Sequence, residues 1–428
     1  MRIGIRRKIA FAFVPILVVA LGLTGCSSSK DEAATKEIAK KELTGTLSFM
    51  VAEYSPTTKP FWEKQVASFE KANPGVKVTL EVIGWQNMHD TTAQRIAAGT
   101  MPDLVNTATI WLPEWADAGG IQVLTDEMIS PELVADMVPA LLEKGAGYKD
   151  QRWGLPIAAA ARLMYYNTDL FAQAGITAAP TTWSELETAA KAIKAKTGKF
   201  GYAFDAKGVQ AFRYFGFFLW NNGGDFFDGD GKAAFNSQQG VEALEFLTNL
   251  SKTNAVPDPT GTALEDFQPL FKTGRLGMMI DGNFFAAAIA KDAPKLKYAV
   301  APVPTRTGAE PPITWGVTDT LVVGKNAKPE LVKAFLDHIY KPEARTEFDT
   351  NEGLLPVLRS QASDPKFADE NSKQWMASLD TARFDPLNPN YSKMQELLKT
   401  AIQQSLKGKK SSKKALDDAA AAFNKLIG

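Results

Sequence analysis

Cysteine and histidine are nearly missing from this chain: one Cys and two His in 428 residues. A single cysteine excludes any disulfide within the chain, so an exported form must be held together by its core. His89 and His338 are far apart in sequence, and His338 borders the apolar stripe of its own segment. That leaves little for a histidine metal site or base, and His338 reads as structural. No G-x-S-x-G elbow, P-loop or dinucleotide fingerprint occurs. DGDGK at 228–232 begins like a calcium loop, but its fifth position is Lys and no closing Glu follows at the required distance. A hairpin turn between FF and AAF is the better reading. Net charge is missing as well, with 48 basic against 48 acidic residues. No Lys/Arg block with interleaved aromatics occurs, which argues against nucleic acid; the lysines between 407 and 414 read as a solvated helix end. Among 48 acidic residues a glycosidase-like pair can always be found, so carboxylates alone decide nothing.

The lone cysteine is informative by its place. Arg2, Arg6, Arg7 and Lys8 form a basic head, Ile9 to Leu23 is almost wholly apolar, and Thr24 and Gly25 follow. This is the layout of a secretory signal, too short for a comfortable membrane span. An uncleaved anchor helix is the alternative, weakened by Pro15, Gly22 and the polar stretch that follows. Leu23-Thr24-Gly25-Cys26 resembles the lipobox of bacterial lipoproteins, which implies that Cys26 is acylated and becomes the mature N-terminus. Each buried methylene contributes about 0.8 kcal/mol, so several acyl chains hold a domain firmly on a membrane. SSSKDEAATKEIAKKE then reads as a tether. Loss of residues 1–25 leaves 44 basic against 48 acidic residues, a mature charge near −4. About 400 remaining residues suffice for two domains with real cores.

Strands and helices alternate along the mature chain. TLSFMV (46–51), VKVTLEV (76–82) and DLV (103–105) read as strands separated by helices, the signature of an α/β domain with a largely parallel sheet. The pattern resumes with an extended 155–167, a helix opened by a Thr182–Glu185 capping box, and strand candidates at 201–204, 276–281 and 298–302. The apolar helix AFRYFGFFLW stops at NNGG, and Asn236 with Gln239 opens another helix through Leu250. Leu331, Phe335 and Ile339 mark an amphipathic helix, and two helices near 392–407 and 412–427 close the chain. No glycine-rich linker separates two halves, so two domains would be crossed more than once.

Several of the nine tryptophans fall at the ends of elements. Trp85 follows VTLEVIG, Trp111 follows DLVNTATI, Trp220 ends its helix before NNGG, and Trp315 sits in PPITWGVTD. Ligands of open α/β sheets bind at the C-terminal strand ends, and a flat apolar ring with polar neighbours suits a sugar. These four are candidate contacts, with Thr318 and Asp319 beside Trp315 as hydroxyl partners; Asn221 follows Trp220 directly. Trp62, Trp115, Trp153 and Trp183 lie in helical or helix-entry patterns and read as packed.

FEKANPGVKV, AAGTMPDLV, WADAGGIQVLTD, WGLPIAAAARLMYYNTDLFAQAGI with PTTWSEL, FKTGRLGMMIDGNF, and PELVKAFLDHI with EGLLPV follow one another between Thr46 and Leu358. In that order they resemble the extracellular solute-binding proteins of ABC sugar importers. The resemblance implies an α/β, two-lobed periplasmic-binding-protein fold (type II), each lobe a mixed sheet flanked by helices, with a ligand cleft between. It places hinges near Leu155–Ala159, Val300–Pro304 and Leu354–Leu358, one lobe at 45–157 and 302–354, the other at 158–301 and 355–428, after a signal at 1–25 and a tether at 26–44. Ligand contacts carried over are Glu53 and Tyr54, the segment Thr107 to Trp111, Asp281 and Phe284 after the M-x-I-x-G motif, and, near the C-terminus, Tyr391. Where maltose-binding relatives carry an acidic residue, this chain has Ala160, and Arg162, of the same strand parity, takes a polar role. The implied partners are a small carbohydrate ligand, the permease transmembrane subunits and the membrane through the lipid anchor, with no cofactor, no metal and a monomeric state. A membrane-tethered glycoside hydrolase and a receptor for a phosphorylated polyol or other charged molecule, using Arg162 and Arg359, stay open as alternatives.

Overall fold

TLSFMV lies inside a strand, β1 (Gly45–Glu53), that feeds two cores with period two. Leu47, Phe49 and Val51 point into the larger core, and Met50 and Ala52 into a smaller one with Met88, Val105, Leu112 and Trp115. Both faces are therefore covered, as expected of a strand with parallel neighbours. The computed structural model describes residues 42–208, 210–388 and 390–427; the leader, Cys26 and most of the tether lie outside the described residues.

The further strands are β2 (Val76–Gly84), β3 (Leu104–Ala108), β4 (Ile121–Gln122), β5 (Gly147–Tyr148), β6 (Gln151–Arg152), β7 (Gly154–Ala160), β8 (Arg162–Asn167), β9 (Phe200–Ala203), β10 (Leu276–Gly282), β11 (Tyr298–Ala301) and β12 (Val317–Gly324). One sheet runs β2-β1-β3-β12, with β7 and then β4 along the far side of β12. The other runs β11-β8-β10-β9, and β5 and β6 form a separate hairpin. Both large sheets are mixed: β1 is parallel to β2 and β3 but β12 opposes β3, and β10 is parallel to β9 but opposes β8. Each sheet is flanked by helices, giving two lobes.

Local signals set the boundaries. The Thr182–Glu185 capping box opens a helix at Trp183–Thr197, which stops at left-handed Gly198. The apolar helix Ala211–Trp220 ends before NNGG. DGDGK is a turn: Asp228 N donates to the Lys232 carbonyl, and Phe227 pairs with Ala233. One cap differs from expectation. Ser237, not Asn236, receives a helix N–H, that of Gly240, because Asn236 is engaged with Asp417.

The extended 155–167 is two strands in two sheets. Ala158, Ala159 and Ala160 remain in the first sheet, paired with Asp319, Thr318 and Val317, so the chain crosses at Ala161. Ala160 and Arg162 therefore share no strand, and the parity argument linking them fails. The chain returns between β11 and β12 and crosses again near Leu355, which pairs with Ala159. A buried ion pair fastens two of these passages. Arg345 donates to Asp349 Oδ1 at 2.6 Å and to the carbonyl of Ile157, while Asp349 Oδ2 accepts from Gln361 beyond the last crossing. Both charged side chains are fully buried, so removal of either would strand the other.

Candidate functional site

Register places the site. Glu53, Gly84 and Ala108, the carboxyl ends of three parallel strands, lie on one edge of the first sheet. The antiparallel β12 starts on that edge, with Asp319 opposite Ala108 and Val317 opposite Ala160. Two residues beyond Ala160, β8 begins at the corresponding edge of the second sheet, where Arg162 pairs with Gly282 and β10 ends. The two carboxyl edges thus meet at the crossing, where α/β sheets bind ligands.

On the first edge the structure gathers four expected residues, Tyr54, Trp85, Trp111 and Asp319, all half-buried. Tyr54 packs edge-on against Trp85 with centroids 5.5 Å apart, and Trp85 lies 6.0 Å from Trp111. The Tyr54 hydroxyl donates to Asp319 Oδ2 at 2.8 Å and lies 3.1 Å from Asn106 Oδ1. Burial pushes the Asp319 carboxyl up to about 7, with the Tyr54 bond acting the other way. Asn106 is fully buried behind this pair, with its Nδ2 lacking a partner among the described residues, so it supports Tyr54 from beneath and presents nothing to the cleft. Glu53 is exposed at the rim. Thr107 is fully buried and donates to the Ala108 carbonyl, so it offers a ligand nothing.

The second edge departs from expectation. Trp315 is 0% exposed, wedged against Trp220 at 4.2 Å and ringed by Phe212, Phe217 and Phe226. It has no face for a sugar, because the apolar helix Ala211–Trp220 supplies apolar surface that the PPITWGVTD stretch alone does not reveal. Trp220 is likewise buried, with its Nε1 donating to Asp225. Asn221 bonds the carbonyls of Phe217 and Ile313, Thr318 donates to Ala158, and Tyr391 donates to Asp385, all buried. Asp281 is buried too, accepting from Gln268 and Gly282 N; burial raises its carboxyl to about 6 against the pull of Gln268 and Arg162. Arg162 and Phe284 remain accessible. The guanidinium lies 5.0 Å from the centre of the exposed Phe284 ring.

Sequence reasoning missed several neighbours. Asn106 had only its place after PDLV as a signal. Arg213 was visible as the one charge in AFRYFGFFLW; it pairs with Asp385 at 3.0 Å. His89 sits 5.1 Å from Trp111 and bonds Glu114 and Asp90; burial lowers its pKa, but those two bonds outweigh it and the net shift is upward. A cavity of about 850 Å³ is lined by Met137, Glu143, Tyr148, Arg152 and, from the C-terminal part, Leu387, and by none of the first-edge residues. Among the described residues no group of three His, Cys, Asp or Glu is arranged to hold a metal ion.

Residues 51–346 match the profile of a family described as bacterial extracellular solute-binding protein. A protein of Brucella abortus (strain 2308) named as a binding protein is 33% identical over 388 residues, 90% of this chain and 93% of its own. The maltodextrin-binding protein of Bacillus subtilis (strain 168) is 26% identical, over 96% of each chain. Among solved structures, the cyclic α-maltosyl-1,6-maltose binding protein from Arthrobacter globiformis superposes with a TM-score of 0.79 at 25% identity, covering 90% of this chain and 99% of that one.

Proposed function

The chain belongs to the bacterial extracellular solute-binding proteins, and from that membership we propose that it captures a carbohydrate in the interlobe cleft and delivers it to an ABC permease. It is a binding protein, not an enzyme, which sets the glycoside hydrolase aside. The observation that carries the carbohydrate reading is the first edge: half-buried Tyr54, Trp85 and Trp111 beside the half-buried Asp319 carboxyl. Rings cover the CH faces of a sugar while the carboxylate and the Tyr54 hydroxyl meet its hydroxyls. Relatives named for maltodextrin and for a cyclic maltose tetrasaccharide support the same class.

A ligand touching both edges favours a closed arrangement by its differential contacts, which a permease can read. The passages at Ala161, between β11 and β12, and near Leu355 serve as the hinge in this reading. The proposed lobes run from 45 to the first passage with 302–354, and from there to 301 with 355–428. Cys26 carries the lipid that holds the protein on the outer face of the cytoplasmic membrane.

A thermal-shift screen of sugars, polyols and peptides tests the function, since a ligand of the native state raises Tm. Stabilisation by carbohydrates is the expected result; stabilisation by peptides alone would overturn it. Cys26→Ala should release a folded protein from the membrane or leave it unprocessed. A processed, membrane-bound product from that variant would remove the anchor.

A further inference from the structure

The charges on the two edges are unevenly satisfied. Arg213 is taken by Asp385, Arg383 by Asp225, and Arg345 by Asp349. Arg162 makes no ion pair among the described residues. Its side-chain hydrogen bond is a long one, from Nη1 to the Ala161 carbonyl at 3.5 Å. Yet this guanidinium is half withdrawn from water and stacked on Phe284, one of the few large apolar side chains left exposed. Gly282 keeps room for the stack: a Cβ there would lie 2.3 Å from the Phe284 ring and 2.8 Å from Arg162 Nη1. The backbone of Arg162 is pinned as well, its N–H donating to Thr314 Oγ1 at 3.1 Å.

A cation partly stripped of water and left without a partner is unfavourable. Burial, and then the like charge of Arg213, lower the pKa of Arg162 to about 10, so it stays charged at neutral pH but at a penalty. An arriving anion would relieve that penalty. The planar fork of Arg matches a carboxylate through two parallel hydrogen bonds.

We infer that the cleft takes an acidic sugar, a uronate whose carboxylate is received by Arg162 beside the Phe284 ring while its hydroxyls meet Tyr54 and Asp319. This rests on the carbohydrate reading above and narrows its substrate class. A carboxylate fits better than a phosphate. Only one guanidinium of this group is unpaired, and Asp281 and Asp385 lie close enough to act on it electrostatically, which disfavours a second negative charge. Burial disfavours the ionised form of Asp319, which weakens its repulsion of an anionic ligand.

The test is calorimetric titration of the whole mature protein with galacturonate, glucuronate and trigalacturonate, against galactose, glucose, maltotriose and sn-glycerol 3-phosphate. A uronate should bind at least about tenfold more tightly than its neutral counterpart, and more weakly as salt rises. Arg162→Gln should weaken that uronate about ten- to a hundredfold, with Arg162→Lys between and the apo Tm of both near wild type. Neutral sugars binding as tightly as uronates would overturn the inference and leave the carbohydrate function standing. Preference for glycerol phosphate would overturn the carboxylate. Binding of none of the probes would overturn both readings. If Arg162→Gln fails to fold, the wild-type preference and its salt dependence decide.

Discussion

On the edge of the first sheet, Tyr54, Trp85 and Trp111 each keep part of their surface in water; on the edge of the second, Trp220 and Trp315 are 2% and 0% exposed. Both groups contain indoles at the ends of elements: Trp85 and Trp111 follow strands, Trp315 precedes β12, and Trp220 ends a helix. What separates them is the helix behind. The helix Trp85–Ala98 presents a polar surface with only Met88 and Thr92 buried, so its rings lie on a shallow core and stay open. The helix Ala211–Trp220 is buried at nine of its ten positions and closes over Trp315 with Phe212, Phe217 and Trp220. An aromatic side chain becomes a platform or a keystone according to how much apolar surface its neighbours bring. On the second edge Arg162 and Phe284 are the expected residues that keep accessible surface.

The sharpest way to break this contrast is Trp315→Ala. Truncating a fully buried Trp costs about 3–5 kcal/mol of stability, from lost burial and the cavity left behind. The Trp220 and Arg213 contacts would be undone with it. Equilibrium urea unfolding should show a large loss of stability, with ligand affinity little changed in the fraction that remains folded. Wild-type stability with lost affinity would instead make Trp315 a platform and erase the difference between the edges.

The fold was legible where local rules act alone. Period-two runs marked β1 and β2, and the Thr182–Glu185 box and Gly198 marked both ends of one helix. The crossing at Ala161 was hidden because WGLPIAAAARLMYYN is apolar apart from Arg162 and Asn167, β7 being buried at every position and β8 at four of six. The helix Leu264–Lys272 escaped notice because Pro269 interrupts its pattern. Of the expected site residues, Tyr54, Trp85 and Trp111 keep part of their surface in water, as their places after strands led one to expect. Trp315 was misread because the aromatic side chains that enclose it lie about a hundred residues earlier, at 212–226. Thr318 and Asn221 were misread for a similar reason: their partners are the carbonyls of Ala158 and Ile313, set by tertiary structure.

Trp85→Ala probes the open edge, with a smaller effect of the opposite kind. The ring contacts Tyr54 and Trp111 but closes no deep core. Loss of an aromatic contact is worth about 0.5–1.5 kcal/mol beyond area. Sugar affinity should therefore fall about tenfold while Tm moves by only a few degrees. Unchanged affinity would place the ligand against the second edge alone.

The last expected effect is a pH dependence, and it asks whether the first edge is as withdrawn from water as its geometry implies. Burial holds the Asp319 carboxyl at about 7 in the folded protein, against about 3.9 in an unfolded chain. Between those values the folded state binds the extra proton. The contribution of Asp319 to stability is therefore complete below about pH 4, declines as pH rises, and is gone above about pH 7. Asp281 and Asp349, raised to about 6 by burial, act in the same direction, but they do so equally in a variant that changes only Asp319. Asp319→Asn removes the titration and keeps a polar group near Tyr54. The difference in Tm between variant and wild type should then shift in favour of the variant as pH is raised from 4 to 8. Differential scanning calorimetry across that range reads it directly. A difference that stays flat with pH would mean that Asp319 is solvated like a surface carboxylate. The first edge would then be open beyond its aromatic rim, and its contrast with the sealed second edge wider than the packing shows.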